Sequence, residues 1–283
     1  MKPKAGPDMD AAGADRFDGS LVLAGAGKMG GAMLRAWLER GYDPRRISVI
    51  EPCPLPELVE LAQATGFALA APSRPPEILV LAMKPQDLEE AAAGLARFAS
   101  PDTLVISILA GKTIANIAAR FPEAAAIVRA MPNLAAAVGR GMAVLAANAA
   151  ATPGQCAAAE ALLAAAGQVE WLAGEDLIDA AAALSGSGPA YVFYLTEALA
   201  SAGAGLGLPA DVAARLARAA AEGAGELLLR CPESSVADLR ENVTSRGGMT
   251  AAALKILMAD DGLAPLIERA VKAARQRAEA LSG

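Results

Sequence analysis

The chain contains no histidine in its 283 residues. That absence removes His-based nucleophile activation, His metal ligation and an imidazole general acid, so any chemistry proceeds without the side chain that titrates near neutrality. Aromatic residues are scarce at 4% against a hydrophobic fraction of 54%. The cores must therefore be built from Ala, Leu, Val and Ile, a composition that favours helix. The three cysteines, Cys53, Cys156 and Cys231, are odd in number and far apart. With no CxxC pair they suggest neither zinc nor a redox motif, and they fit a reducing compartment. No metal site is expected.

Basic clusters are missing too. The net charge is −6, from 25 Lys+Arg against 31 Asp+Glu, and nothing resembles a stripe able to neutralise a phosphate backbone, which argues against a nucleic-acid partner. Mean hydropathy is +0.36, yet Gly, Pro or charge interrupts each apolar stretch before it reaches membrane-spanning length. The first 19 residues lack the apolar run of a signal peptide or anchor and read as a loose tail. A soluble, cytoplasmic protein with no membrane partner is expected.

At this length two cores are expected. Residues 21–41, LVLAGAGKMGGAMLRAWLERG, read as a buried strand, a glycine turn and an amphipathic helix. ISVIEP (47–52), EILVLAM (77–83), TLVISILAG (103–111), AAIVRAMPN (125–133) and GMAVLAAN (141–148) read as further strands with helical segments between most of them. Such alternation implies parallel βαβ units and a doubly wound, Rossmann-type α/β domain. After QVEWL (168–172) the strand signal stops, which predicts an all-α second domain. The predicted division is a tail (1–19), a dinucleotide-binding domain (20–174) and a helical domain (175–283). Within the helical part, Ser187 with Pro189 is expected to open a helix that Gly207 and Pro209 stop. Asp211 is expected to cap the next helix, which halts at Cys231-Pro232, and Ser235 with Asp238 forms a capping-box pattern.

Gly25, Gly27 and Gly30 form GxGxxG between a strand and a helix, where a tight turn and a helix N-terminus suit a pyrophosphate. Glu51 follows the second strand, positioned to accept from a ribose 2′-hydroxyl and so to favour NADH. Arg45 and Arg46 offer the alternative of meeting a 2′-phosphate. Met83, Lys84, Pro85 and Gln86 follow a buried strand, where a lysine either orients a ligand or belongs to a solvated turn. The loop TSRGGMT (244–250) offers amides at Gly247, Gly248 and Met249 beside the hydroxyls of Ser245 and Thr250. It reads either as a nest for a small carboxylate or as a glycine loop with Thr250 as N-cap.

Over residues 21–281 the chain resembles the pyrroline-5-carboxylate reductase family. The motifs that carry the likeness are AGAGKMGGAM, AMKPQ, ISILAGKTI, VRAMPN, LSGSGPAYVFYLTEAL with AGAGLGLP, and NVTSRGGMTAAAL, in the family's order. The resemblance implies hydride transfer from NADPH or NADH to a cyclic imine carboxylate, giving proline, and a helical domain that forms a homodimer able to assemble further. It implies that Gly25, Ala26, Gly27, Lys28, Met29 and Gly30 hold the pyrophosphate, with Glu51, Met83, Lys84 and Pro85 also at the cofactor and Ala110-Gly111 near the nicotinamide. It implies that Asn133 faces the site, and that Ser245, Gly247, Gly248, Met249 and Thr250 bind substrate, Thr250 meeting the ring nitrogen and Glu233 lining the pocket. Arg246 stands where the family usually has proline, Met249 replaces a smaller residue, Leu134-Ala135 replace Thr-Pro, and Ala219-Ala220 replace a Gln-Thr pair. These departures fall on the substrate side, and leave two alternatives: a related imine or β-hydroxyacid-type reductase, and a catalytically silent nucleotide-binding dimer.

Overall fold

The structure is a computed structural model that describes residues 17–282. Its elements run β1 (Leu21–Ala24), α1 (Lys28–Glu39), β2 (Ile47–Ile50), α2 (Pro56–Thr65), β3 (Ile78–Leu81), α3 (Leu88–Leu95), β4 (Leu104–Ser107), α4 (Ile114–Ala118), β5 (Ala126–Met131), β6 (Gly141–Ala147), α5 (Pro153–Ala164) and β7 (Gly167–Trp171). From there only helices follow: α6 (Ile178–Ala181), a π-helical stretch (Ala182–Gly186), α7 (Gly188–Gly205), α8 (Ala210–Arg230), α9 (Val236–Asn242), α10 (Met249–Leu257) and α11 (Leu263–Ser282). The chain divides into two compact units, residues 17–187 with 274–282, and residues 188–273.

In the first unit the seven strands form one sheet in the order β2-β1-β3-β4-β5-β6-β7. Every residue of β1, β3 and β4 is buried, as expected of parallel strands covered on both faces. The alternation of a strand then sorts neighbours into different cores. Leu21 and Leu23 join Met33, Trp37, Val80 and Ile106 on one face, whereas Val22 and Ala24 join Leu79, Leu81 and Phe121 on the other. Burial of each large side chain contributes about 1.5–3 kcal/mol. Trp37 also fixes α1 against α5, its indole N–H donating to the Leu162 carbonyl at 2.8 Å.

One strand departs from the parallel pattern, since β6 runs antiparallel to β5. Only residues 132–140 join the two, too short a link for the crossover a parallel pair needs. β7 then returns parallel to β6 through α5, whose N-cap Thr152 closes a capping box with Gln155.

In the second unit α7 ends before Gly207, which has φ +96°, and α8 ends with Cys231 as its C-cap. Gly203 on α7 lets the helices approach, since a Cβ there would lie 3.2 Å from the Ala213 Cβ of α8. The expected Ser235–Asp238 capping box is present. Two expected caps are displaced. Pro209 is the N-cap of α8, leaving Asp211 in the first turn, where it pairs with Arg215 at 2.8 Å. Gly248, with extended backbone angles, is the N-cap of α10, leaving Thr250 as its second residue. Among the described residues, no helix is long and apolar enough to cross a membrane.

Candidate active site

Parallel strands end at one edge of the sheet, and the loops leaving β1, β2, β3 and β4 gather there. The first is the glycine turn. Gly25 adopts φ +93°, and a Cβ on it would lie 2.6 Å from the Met83 amide nitrogen. A Cβ on Gly30 would lie 2.2 Å from the Gly25 carbonyl oxygen, so α1 packs directly on the turn. Beside Gly27 the situation reverses: a Cβ there would meet nothing within 4 Å. Gly27 and Lys28 are exposed, and the α1 N-terminus carries neither a side-chain cap bond nor an acidic residue in its first turn. Two glycines thus make the turn possible, and the third keeps open the face from which an anion can reach the unpaired amides.

Glu51, just past β2, reaches this turn. Its Oε2 accepts from the Ala26 N–H at 2.9 Å and its Oε1 from the Cys53 N–H at 3.3 Å. The carboxylate therefore stands beside the glycine turn. Arg45 and Arg46 precede β2 and so lie at its opposite end, about 13 Å away for a four-residue strand. Both guanidinium groups are engaged there, Arg45 with the Asp43 carboxylate at 2.9 Å and Arg46 with the Asp18 carbonyl. The Arg45 hydrogen bonds hold the Asp43 carboxyl below its usual range. In this structure the two arginines thus lie away from the glycine turn. A cavity of about 470 Å³, lined by Arg46, Glu77 and Ala161 among others, opens at that same amino edge and not at the glycine turn.

At the end of β3, Met83 is half-buried, Lys84 is exposed and Pro85 begins a single 3-10 turn. Ala110 and Gly111 follow β4, Gly111 with φ +70° and its Cα facing the Leu281 carbonyl near the end of α11. All twelve residues expected at the cofactor therefore lie on the turn, α1 or the loops leaving β2, β3 and β4.

The residues expected at the substrate fall in both units. Asn133 is 8% exposed, and both ends of its amide are held within the protein. Its Nδ2 donates to the Ser185 carbonyl at 3.0 Å and its Oδ1 accepts from the Met142 N–H at 3.2 Å. In the helical unit Ser245 to Thr250 form one tight loop, with Gly247 at φ +71° and the Gly248 N–H bonded to the Ser245 carbonyl at 3.0 Å. A Cβ on Gly248 would stand 2.3 Å from the Ser245 Oγ, so the hydroxyl lies over the glycine. Thr250 is half-buried, Met249 is 92% exposed, and Glu233 is exposed in the turn between α8 and α9.

Sequence reasoning missed a charged cluster. Arg129 lies within β5 with its side chain 5% exposed, paired with Glu175 at 3.1 Å and Asp179 at 2.8 Å. The signal was available, since a charge inside the apolar run AIVRAM demands a partner.

An open glycine turn at the carboxyl edge of a doubly wound sheet, followed by a helical unit, defines a dinucleotide-dependent oxidoreductase. Residues 20–111 match the family model described as NADP oxidoreductase, coenzyme F420-dependent, and residues 175–281 match that for pyrroline-5-carboxylate reductase dimerisation. The pyrroline-5-carboxylate reductase of Synechocystis is 40% identical, covering 92% of this chain and 97% of its own. That of Pseudomonas aeruginosa is 35% identical, covering 93% and 96%. The solved pyrroline-5-carboxylate reductase of Coxiella burnetii superposes with a TM-score of 0.87 at 36% identity, covering 94% of this chain and all of that one. A Plasmodium falciparum pyrroline carboxylate reductase, solved with NADP bound, shares the fold at a TM-score of 0.77 and 24% identity. The chain belongs to the pyrroline-5-carboxylate reductase family, and it carries that family's dimerisation domain as a homo-oligomer.

Proposed function

We propose that this protein reduces 1-pyrroline-5-carboxylate to L-proline with NADH or NADPH as hydride source, in the cytoplasm, as a homodimer able to assemble further. The reading is carried by identity of 35–40% over more than nine-tenths of the chain with relatives that bear that name. The glycine turn supports it independently, because its open face at Gly27 fits a pyrophosphate. Residues 20–174 serve as the nucleotide-binding domain and 175–283 as the dimerisation and substrate domain.

In this reading the turn Gly25–Gly30, including Ala26, Lys28 and Met29, holds the pyrophosphate, and Glu51 accepts from the adenine-side ribose. Met83, Lys84, Pro85, Ala110 and Gly111 flank the remainder of the cofactor. Reduced nicotinamide supplies a hydride. The amides of Gly247, Gly248 and Met249 with the Ser245 hydroxyl hold the substrate carboxylate, and Glu233 lines the pocket. Thr250 hydrogen-bonds the ring nitrogen, and Asn133 faces the site. A protonated cyclic imine is already electrophilic: hydride adds to its carbon, the C=N electron pair moves to nitrogen, and the nitrogen keeps its proton. No strong acid is needed, which accommodates a chain without histidine, and positioning with electrostatics supplies the rate.

The test is loss of reduced-nicotinamide absorbance on mixing protein with pyrroline-5-carboxylate and each cofactor, with proline identified as product. Cofactor binding without turnover on this imine overturns the reading. Thr250→Ala is expected to lower kcat about tenfold or more while cofactor affinity stays nearly constant; a fully active variant removes Thr250 from its role.

A further inference from the structure

Arg129 interrupts a strand whose other residues from Ala126 to Ala130 are buried apolar side chains. A lone guanidinium there would be costly, and one carboxylate would neutralise it. The protein supplies two, from a segment 46 and 50 residues further along the chain. Asp179 meets Nη2 at 2.8 Å and Glu175 meets Nη1 at 3.1 Å. The same Glu175 Oε1 also accepts from the Ile114 N–H at 2.7 Å. Asp179 alone balances the arginine, so the second negative charge is available to the start of α4.

Ile114 closes the loop that leaves β4 and contains Ala110 and Gly111. Thr113 and Asn116 complete a capping box beside it, and the Lys112 N–H returns to the Leu109 carbonyl at 3.2 Å. The loop is thus closed on itself at one end and tied to β5 through Glu175 at the other. The strand's continuation grips the same later segment, through the Asn133 amide on the Ser185 carbonyl at 3.0 Å.

We propose that Glu175, held in place by Arg129, is a positioning residue that fixes the Ala110–Thr113 loop beside the reacting end of the cofactor. The inference rests on the reading of Ala110-Gly111 as the nicotinamide-side loop. Glu175 acts through the Ile114 amide and touches neither substrate nor cofactor. Asp179 pairs with the Arg129 guanidinium at 2.8 Å, whereas Glu175 also accepts from the Ile114 amide, so the two carboxylates are expected to behave differently on removal.

The experiment compares full-length wild type, Glu175→Ala and Asp179→Ala by backbone hydrogen exchange without ligands, alongside turnover with 4-deuterated and ordinary reduced cofactor. In Glu175→Ala, exchange across residues 110–116 is expected to rise about tenfold, the loss expected for one charge-assisted hydrogen bond. Its kcat is expected to fall about tenfold as the loop loses its register, with a larger deuterium effect on kcat because hydride transfer becomes slower. Asp179→Ala is expected to lower Tm while leaving exchange in that loop unchanged. Unchanged exchange in Glu175→Ala, or equal loosening in both variants, overturns the latch. Loosening with kcat and isotope effect as in wild type overturns the positioning role. Should Glu175→Ala fail to fold, Glu175→Met keeps a similar volume without an acceptor oxygen, and a rise in exchange confined to residues 110–116 is expected, its absence again overturning the latch. A wild type inactive on pyrroline-5-carboxylate would overturn the functional reading instead, while exchange still reports on the latch.

Discussion

A methyl group on Gly30 has nowhere to go, because its Cβ would stand 2.2 Å from the Gly25 carbonyl oxygen. Gly30→Ala must push α1 away from the turn, and its cofactor Kd, read by fluorescence titration, is expected to rise at least about tenfold; wild-type affinity would show that the turn does not hold the nucleotide. Glu51 is a different case, since it touches the turn through a side chain bonded to the Ala26 amide. If it accepts from a ribose hydroxyl, Glu51→Gln lowers kcat/KM for NADH more than for NADPH, and an unchanged ratio denies it that role. The thiols give a third readout. Cys53 is exposed beside Glu51, while burial pushes the Cys156 thiol up, so iodoacetamide near pH 8 is expected to label Cys53 well before Cys156. Bound cofactor is expected to slow labelling at Cys53 alone, and mass spectrometry of the labelled peptides decides it. These glycines and Glu51 were legible in the sequence because their spacing is short and local. Arg129 with Glu175 and Asp179 was not, since the partners lie 46 and 50 residues away and no periodicity connects them.

The same division between local and distant information holds for whole elements. β1, β3 and β4 announce themselves as apolar runs because both faces are covered, and the all-helical second half follows from the loss of such runs after β7. Direction is another matter. A strand's composition is the same whichever way it runs, and β6 turns antiparallel only because the link from β5 is short. Caps fall between these cases. Ser235 with Asp238 could be read because each residue's side chain accepts from the other's backbone N–H across a spacing of three. The N-cap of α10 could not, because Gly248 caps by backbone conformation alone and displaces the more obvious Thr250. Ser235→Ala is expected to destabilise α9 by about 1 kcal/mol, seen as faster hydrogen exchange at the Asp238 amide with little change in α8. Equal exchange in variant and parent would mean that the cap bond contributes nothing there.

At the scale of the molecule, the single chain leaves its helical unit short of cover. None of the residues of α7 is buried, although it carries Val192, Phe193, Tyr194, Leu195 and Leu199, each between 46% and 73% exposed. Leu227 and Leu228 on α8 are about half exposed as well. So much apolar surface on consecutive helices is rarely left open to water, and each such side chain gains about 1.5–3 kcal/mol when fully buried. A second copy is expected to supply the missing cover, in keeping with the dimerisation domain matched over residues 175–281. Folding and association are then linked, so Tm is expected to rise with protein concentration. Phe193→Asp places a charge where apolar contact is required, and it is expected to shift the protein to monomer in sedimentation, lower Tm and abolish that concentration dependence. A Phe193→Asp protein that still sediments as a dimer would place the interface on another face of the helical unit.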